Sequence, residues 1–421
     1  MTVTNYDALV RPDRVHGSLY TDPEIFAEEM ERIFYRTWVY VGHVSEVPQP
    51  NDYVVKSIGP QSVIMTRDRA GKVNLLQNRC AHRANLVCDA PRGNTRAFRC
   101  QYHGWTYDSD GALLGMPYKQ GYDGVIEKSE LGLGRVPRVA EYRGFVFGSF
   151  AADGPSLLEH LGSATDAFDR LCRLSPAGEV AVSAGWLQHR VAANWKMLLE
   201  NETDGYHPQF VHSSVFQVAN SAIGALYGES STAVCRDLGG GHTENDLRPE
   251  FRRLGVPMGW FGTTADKVPN YVARMRQSYG AGAEEILIDG SPHVMIFPNL
   301  FIAEIQLFVI QPLSVNQTVQ HVTCVQLAEG EEMNRRMLQQ TIGSVGPAGL
   351  LLADDTEMYE RNQRGVASRL PEWLVLARGL KRERIDADGH TIGNNTDELT
   401  LRAIWRHWLT LMDPMAEGTA A

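Results

Sequence analysis

Four residues constrain this chain more than any others. Cys80 and His82 are separated by one residue, Cys100 and His103 by two. Each pair is a short clamp that joins a thiolate to an imidazole and can set both on one metal centre. Such a set of two cysteines and two histidines could hold a structural zinc, since thiolate and imidazole are both good zinc ligands. The familiar zinc-finger layout, however, puts its two Cys in one clamp and its two His in the other. Mixed clamps facing each other suit a two-iron cluster, with Cys on one iron and His on the other.

A second concentration of donors lies about a hundred residues on. Asn194-Trp195-Lys196 leads into Glu200-Asn201-Glu202-Thr203-Asp204-Gly205-Tyr206-His207-Pro208-Gln209-Phe210-Val211-His212. On an ideal helix His207 and His212 would stand roughly 140° apart, so they converge on one ion only where the helix is distorted. Pro208 disfavours helical geometry at His207, and Gly205 adds freedom. Far along the chain, Gly346-Pro347-Ala348-Gly349-Leu350-Leu351-Leu352-Ala353-Asp354-Asp355-Thr356-Glu357-Met358 offers carboxylates. Two His and one carboxylate are together a donor set that can hold a divalent metal ion. Asp204 precedes His207 by three residues, close enough on a helical turn to accept its distal N–H. Glu200 and Glu202 read as helix surface or as further hydrogen-bond partners of the site.

With Gly104-Trp105 after its second His, the first motif resembles the Rieske 2Fe–2S motif. The second resembles the mononuclear-iron segment of Rieske non-haem iron oxygenases, specifically the large (α) subunit of aromatic-ring-hydroxylating dioxygenases. The resemblance runs from about residue 20 to Trp405-Arg406-His407-Trp408. It implies a Rieske 2Fe–2S cluster on Cys80, His82, Cys100 and His103, and a mononuclear non-haem Fe(II) on His207, His212 and Asp355. Asp354 and Glu357 remain the alternative acidic ligands. By the same resemblance Asp204 bridges the iron His of one subunit to the cluster His103 of its neighbour. That arrangement needs a ring of three α subunits, with or without a small β subunit. Electrons from NADH would arrive through a separate reductase and/or ferredoxin, because this chain has no flavin or dinucleotide fingerprint. The pocket would be lined by Asn201, Asn299, Val345 and Leu351.

Only Glu202 and Thr203 separate the Glu-Asn pair from Asp204. Naphthalene-type dioxygenases have three residues there, whereas relatives acting on benzoate, anthranilate or salicylate have two. The resemblance therefore implies dioxygen insertion into an aromatic carboxylate. A buried carboxylate needs a charge-assisted partner such as an Arg, with Arg274 and Arg276 among those in loops. Neutral polycyclic hydrocarbons, or a Rieske monooxygenase or demethylase, are the alternative readings. An electron carrier or zinc module is the rival outside enzymes.

The resemblance gives an α+β chain, an all-β Rieske domain followed by an antiparallel sheet wrapped by helices. Periodicity supports short strands at 52–58, 62–67 and 72–78, then more near 135–150. Asp153-Gly154-Pro155 is the natural boundary. The expected parts are an N-terminal arm and helix, 1–39, packing on the catalytic domain, a cluster domain, 40–152, and a catalytic domain, 153–421. Asp22 and Pro23 start an amphipathic helix over 22–38. Strands are expected at 179–192, 293–313 and 317–327, and helices at 156–173, 331–343 and 347–364. The Gly-rich polar stretch 220–292 reads as loops with some helix.

A formal charge of −10 gives no basic footprint for nucleic acid. The N-terminus lacks the regions of a signal peptide, and no apolar run reaches the roughly 18 residues a membrane span needs. A cytoplasmic protein is expected. In that reducing compartment Cys88, Cys172, Cys235 and Cys324 read as small buried hydrophobes.

Overall fold

The computed structural model describes residues 5–218, 224–255, 263–347, 349–368 and 370–413. They form two compact units, Phe34–Leu157 and a second made of Met1–Ile33 with Leu158–Ala421. The smaller unit is wider at both ends than the expected 40–152.

The smaller unit is built from antiparallel strands. Val73–Gln77, Gln61–Arg67, Asp52–Ile58 and Arg92–Asn94 lie side by side in that order. Arg138–Tyr142, Phe145–Ser149 and Val39–His43 form a second sheet, and Leu113–Gly115, Thr106–Asp108 and Ala97–Arg99 a third. The apolar residues of alternating strands meet in one core around Tyr53, Ile64, Leu76, Phe98, Trp105 and Tyr107. Cys80 follows the strand Val73–Gln77, and Cys100 directly follows Ala97–Arg99. Both Cys thus sit where a strand turns.

The larger unit holds a sheet of nine strands among the described residues. Its order is Leu187–Val191, Gln317–Cys324, Gln306–Ser314, Leu300–Ala303, His293–Ile296, His242–Asp246, Val234–Gly239, Thr391–Asn394 and Arg384–Ile385. The stretch 293–313 is thus three strands, with turns around Phe297–Asn299 and Glu304–Ile305. The expected helices appear as Leu157–Leu161, Thr165–Arg173, Glu331–Val345 and Leu350–Val366.

The stretch 220–292 departs most from the sequence reading, although residues 219–223 and 256–262 lie outside those described. It contributes two inner strands, joined through Gly239-Gly240-Gly241. All five residues of His242–Asp246 are buried, so this strand shows no apolar alternation. Its acids are tolerated because cations surround them. Arg236 Nη1 lies 2.6 Å from Glu244 and 3.1 Å from Asp246. Arg248 Nε is 2.7 Å from Asp246, and Arg170 pairs with Glu244. A buried charge costs heavily unless paired. A polar strand can therefore be internal only where distant residues supply its counter-charges.

The N-terminal helix is Pro23–Glu29, with Asp22 Oδ1 accepting from Glu24 N at 2.8 Å, and it runs on as a wider turn over Met30–Phe34. Its Glu29 is fully buried. Lys196 Nζ donates to Glu29 at 2.6 Å, Trp195 Nε1 at 2.9 Å and Trp408 Nε1 at 2.8 Å. Three segments far apart in sequence are joined at one carboxylate. Glu29→Gln removes the charge facing a buried ammonium and is expected to cost about 3 kcal/mol or more. Chemical denaturation monitored by tryptophan fluorescence checks this.

Burial pushes His242 and His407 down to about 4 from 6.5, with His242 also acting on His407. The His242 ring spans two backbone groups. Its Nε2 donates to His160 O at 2.8 Å and its Nδ1 accepts from Phe297 N at 3.0 Å. Folded values below the unfolded one mean that the unfolded chain binds more protons between them. Stability is therefore expected to fall as pH drops from about 6.5 to about 4, by roughly 1.4 kcal/mol per pH unit per histidine. His242→Gln keeps a donor for His160 O and should flatten that slope in denaturation curves taken across this range.

Candidate active site

The two clamps of the smaller unit are backbone copies of each other. Cys80 N donates to Asn85 O at 2.9 Å and Ala84 N to Cys80 O at 3.0 Å. Cys100 N donates to Trp105 O at 2.8 Å and Gly104 N to Cys100 O at 3.0 Å. In each loop the residue four after the Cys is left-handed, Ala84 at φ 58° and Gly104 at φ 72°. Both thiols are buried, whereas His82 and His103 keep accessible surface. The imidazoles lie together with ring centroids 4.5 Å apart, and His82 stacks on Trp105.

This geometry fits a cluster. His82 Nδ1 is sealed from solvent with no hydrogen-bond partner, as a nitrogen reserved for a metal would be. Cys80 Sγ has Tyr107 Oη at 3.1 Å, and Asn85 Nδ2 reaches Cys100 Sγ at 3.7 Å. Hydrogen bonds to cluster sulfurs are one of the means by which a protein sets the potential.

In the larger unit Asn194 caps the helix Trp195–Thr203, its side chain accepting from Lys196 N at 3.1 Å. The helix ends at Asp204, which is extended at φ −91°, ψ 109°. Gly205 has no room for a side chain, since an added Cβ would lie 2.1 Å from Asn395 O. The expected break at His207 is not where the chain turns. His207 is itself helical, at φ −66°, ψ −32°, and Pro208 opens the next short helix, Pro208–Val211. Proline is well placed at a first helical position, where its missing N–H is not needed. The distortion that lets the two His converge is therefore the extended link through Asp204 and the departure at His212, φ −99°, ψ 20°.

The result is a three-donor cup. His207, His212 and Asp355 present ligand atoms that all lie within 4.8 Å of one another. His212 Nε2 is 3.2 Å and His207 Nε2 3.6 Å from Asp355 Oδ1, a buried oxygen with no hydrogen-bond partner. Two imidazoles aimed at one unpartnered carboxylate oxygen are what a small oxophilic cation such as Fe(II) would complete. Asp354, the alternative ligand, places Oδ2 3.8 Å from His212 Nδ1, behind the ring. Glu357 is drawn to Arg361 at 2.6 Å, and that hydrogen bond holds its carboxyl below the usual range.

Asp204 Oδ2 lies 3.4 Å from His207 Nδ1, close enough for an ion pair but too poorly aligned for a hydrogen bond. The pair forms across an extended corner, not on a helical turn. Burial acts to lower His207, but Asp204 and then Asp355 outweigh it, and the imidazole is raised from its ordinary value. The other Asp204 oxygen accepts from Tyr206 N at 2.7 Å.

Glu200 and Glu202, read as helix surface or as hydrogen-bond partners of the site, are internal. Glu200 Oε1 accepts from Tyr20 Oη at 2.6 Å and Trp405 Nε1 at 2.7 Å, and burial pushes its carboxyl up to about 7. Glu202 accepts from Gln320 Nε2, and burial followed by the Asp355 charge holds its carboxyl well above the ordinary range.

The four expected pocket residues take different positions. Asn201 Oδ1 accepts from Tyr359 Oη at 2.9 Å, tying the His-bearing segment to the helix of Asp355. Leu351, Asp355 and Tyr359 recur every fourth residue along one face of that helix. Val345 ends the neighbouring helix and is buried. Asn299 is buried in the turn before Leu300–Ala303, its carbonyl accepting from Ile310 N at 2.9 Å. The sequence reading did not single out Tyr359, Gln320 or His293. The fourfold spacing after Asp355 points to Tyr359, but no local pattern marks the strand residues. His293 is pushed down to about 4 by burial, and secondarily by His207. Arg274 and Arg276 lie on the helix Pro269–Tyr279 and not in loops, and they pair with Glu331 and Glu284 on exposed surface.

A fold with a cluster-bearing β unit and a cup of two histidines and a carboxylate on a helix-wrapped antiparallel sheet defines a two-centre iron oxygenase. Residues 37–137 match the Rieske [2Fe-2S] domain family and residues 179–412 the ring hydroxylating alpha subunit (catalytic domain) family. The chain is 32% identical to the 2-halobenzoate 1,2-dioxygenase large subunit of Burkholderia cepacia, over 87% of this chain and 80% of that one. It is 31% identical to the anthranilate 1,2-dioxygenase large subunit of Acinetobacter baylyi, with the same coverage. A crystal structure of naphthalene 1,2-dioxygenase with indole in its active site superposes with a TM-score of 0.85 at 25% identity, covering 97% of this chain and 95% of that one. The chain belongs to the family of Rieske ring-hydroxylating dioxygenase large subunits. Its cofactors are a Rieske [2Fe–2S] cluster and a mononuclear iron.

Asp355→Ala is expected to empty the mononuclear site and leave the visible cluster spectrum unchanged. Asp354→Ala should keep both metals. Iron analysis together with absorption spectra distinguishes the two, and the reverse pattern would reassign the ligand.

Proposed function

We propose that this chain is the terminal oxygenase component of a multicomponent system. It takes electrons from NADH through a separate reductase and/or ferredoxin and inserts dioxygen-derived oxygen into an aromatic ring. The convergence of His207, His212 and Asp355 carries this reading, because an electron carrier or zinc module has no use for a second donor cup. Cys80, His82, Cys100 and His103 would hold the cluster, and the cup the mononuclear iron. When bound, the cluster supplies single electrons and the iron activates dioxygen.

The chain's own residues do the rest. Asp204 orients His207 through Nδ1, leaving Nε2 to face the cup. Its position on an extended corner, with His103 accessible on the cluster unit, supports a bridge from His207 of one subunit to His103 of another. We infer an α trimer on that basis, with or without a β subunit. Tyr359 fixes Asn201 against the helix of Asp355 and holds the two halves of the cup in register. Asn201, Asn299, Val345 and Leu351 are proposed as pocket walls.

The halobenzoate and anthranilate enzymes among its relatives, together with the two-residue spacing before Asp204, support an aromatic carboxylate as substrate. Action in the cytoplasm fits a dependence on NADH. Among the described residues no helix is long and apolar enough to cross a membrane.

Protein loaded with iron and given a reductase and ferredoxin is expected to oxidise members of a panel of benzoate, salicylate, naphthalene and biphenyl. Labelled dioxygen should place two oxygen atoms in the product of a dioxygenase and one in that of a monooxygenase. Asp204→Asn should keep both metals and a reducible cluster but slow turnover by at least tenfold. Near-normal turnover in that variant would rule out the bridge.

A further inference from the structure

The wall beside the iron cup contains an acid for which the reaction as described has no use. Glu202 is partly buried, and its carboxyl lies close enough to Asp355 for the two charges to interact. Among the described residues its carboxyl has one hydrogen-bond donor, Gln320 Nε2. A carboxyl group has about four lone-pair positions, so most of its accepting capacity is unused. Gln320 is fully buried, and its Oε1 has no partner. The neighbouring donor of Tyr359 is engaged by Asn201. Around Glu202 the described groups therefore offer more acceptor positions than donors, even with a proton on its raised carboxyl.

Buried polar groups find partners, and a site that leaves an acceptor open favours a ligand that brings the donor. We propose that Glu202 is a substrate-recognition residue and that the substrate presents an N–H donor on or beside its aromatic ring, as an aryl amine, anilide or fused pyrrole does. This rests on the oxygenase reading above and specifies its substrate. A carboxylate elsewhere on the ring is compatible with it. The cup's own ligands are not involved, since the recognised group lies on the substrate and the recognising one on the helix Trp195–Thr203.

Pairs of aromatics that exchange N–H for C–H at nearly constant shape test this on the holoenzyme. Suitable pairs are indole with indene, aniline with toluene, and anthranilate with 2-methylbenzoate. Binding is read anaerobically by calorimetry and turnover as kcat/KM with redox partners supplied. In the wild type the N–H member of at least one pair should bind about tenfold more tightly or better. Glu202→Leu should abolish that preference, and Glu202→Gln, which keeps an accepting oxygen, should retain part of it. The cluster spectrum and iron content report whether each variant is folded. If Glu202→Leu fails to fold, the wild-type comparison with Glu202→Gln decides. Equal affinity within every pair, or a preference that survives in folded Glu202→Leu, overturns the assignment. Failure of the wild type to oxidise any aromatic in either panel would instead remove the oxygenase reading on which it rests.

Discussion

A carboxylate inside a protein must have a donor, a cation or a proton, and much of the larger unit is arranged to meet that requirement. Glu29 has an ammonium and two indole N–H groups. Glu244 and Asp246 have three guanidinium groups between them. Glu200 has a phenol and an indole. Each solution joins segments far apart in the chain, so neutralising the acids also fixes the tertiary structure.

The iron cup is an exception of the same kind. Asp355 Oδ1 is buried beside two imidazole nitrogens without a hydrogen bond, an arrangement that is costly unless a cation completes it. Metal binding and local stability are therefore linked at this point. Asp204 and Asp354 lie behind the two rings, at His207 and His212 respectively, so each imidazole has a carboxylate on the side away from the cup. Such partners raise the basicity of a ligating imidazole and hold its orientation. Glu202 differs from both groups, since among the described residues its carboxyl has one donor, Gln320 Nε2.

The two metal centres solve separate geometric problems with local backbone devices. The cluster loops repeat one hydrogen-bonded turn, with a left-handed residue four after each Cys. In the first loop that residue is Ala84, which adopts the conformation despite its Cβ cost. At the iron site a helix stops at the extended Asp204 and the next begins at Pro208. Gly205 sits at the corner because another backbone carbonyl occupies the space a side chain would need.

The sequence by itself marked two sets of candidate donors, through motifs that resemble a known family's, and the strand-bearing character of the cluster unit. These are local matters: clamp spacing, residue type and period-two alternation act over a few positions. It also marked the acid pair at 354–355, through the resemblance of this stretch to the family's helix that carries an acidic ligand. Only the tertiary structure decided which oxygen faces the imidazoles and that Asp354 backs His212. It alone showed that Pro208 starts a helix instead of breaking one, and that His242–Asp246 is an internal strand. The last of these was illegible for a physical reason. A strand of polar residues is buried only when arginines from positions 170, 236 and 248 arrive to neutralise it, and nothing in five consecutive residues reports that arrival. Glu202 stayed open between helix surface and a hydrogen-bond partner of the site for the same reason, since the burial of an acid is set by what folds over it.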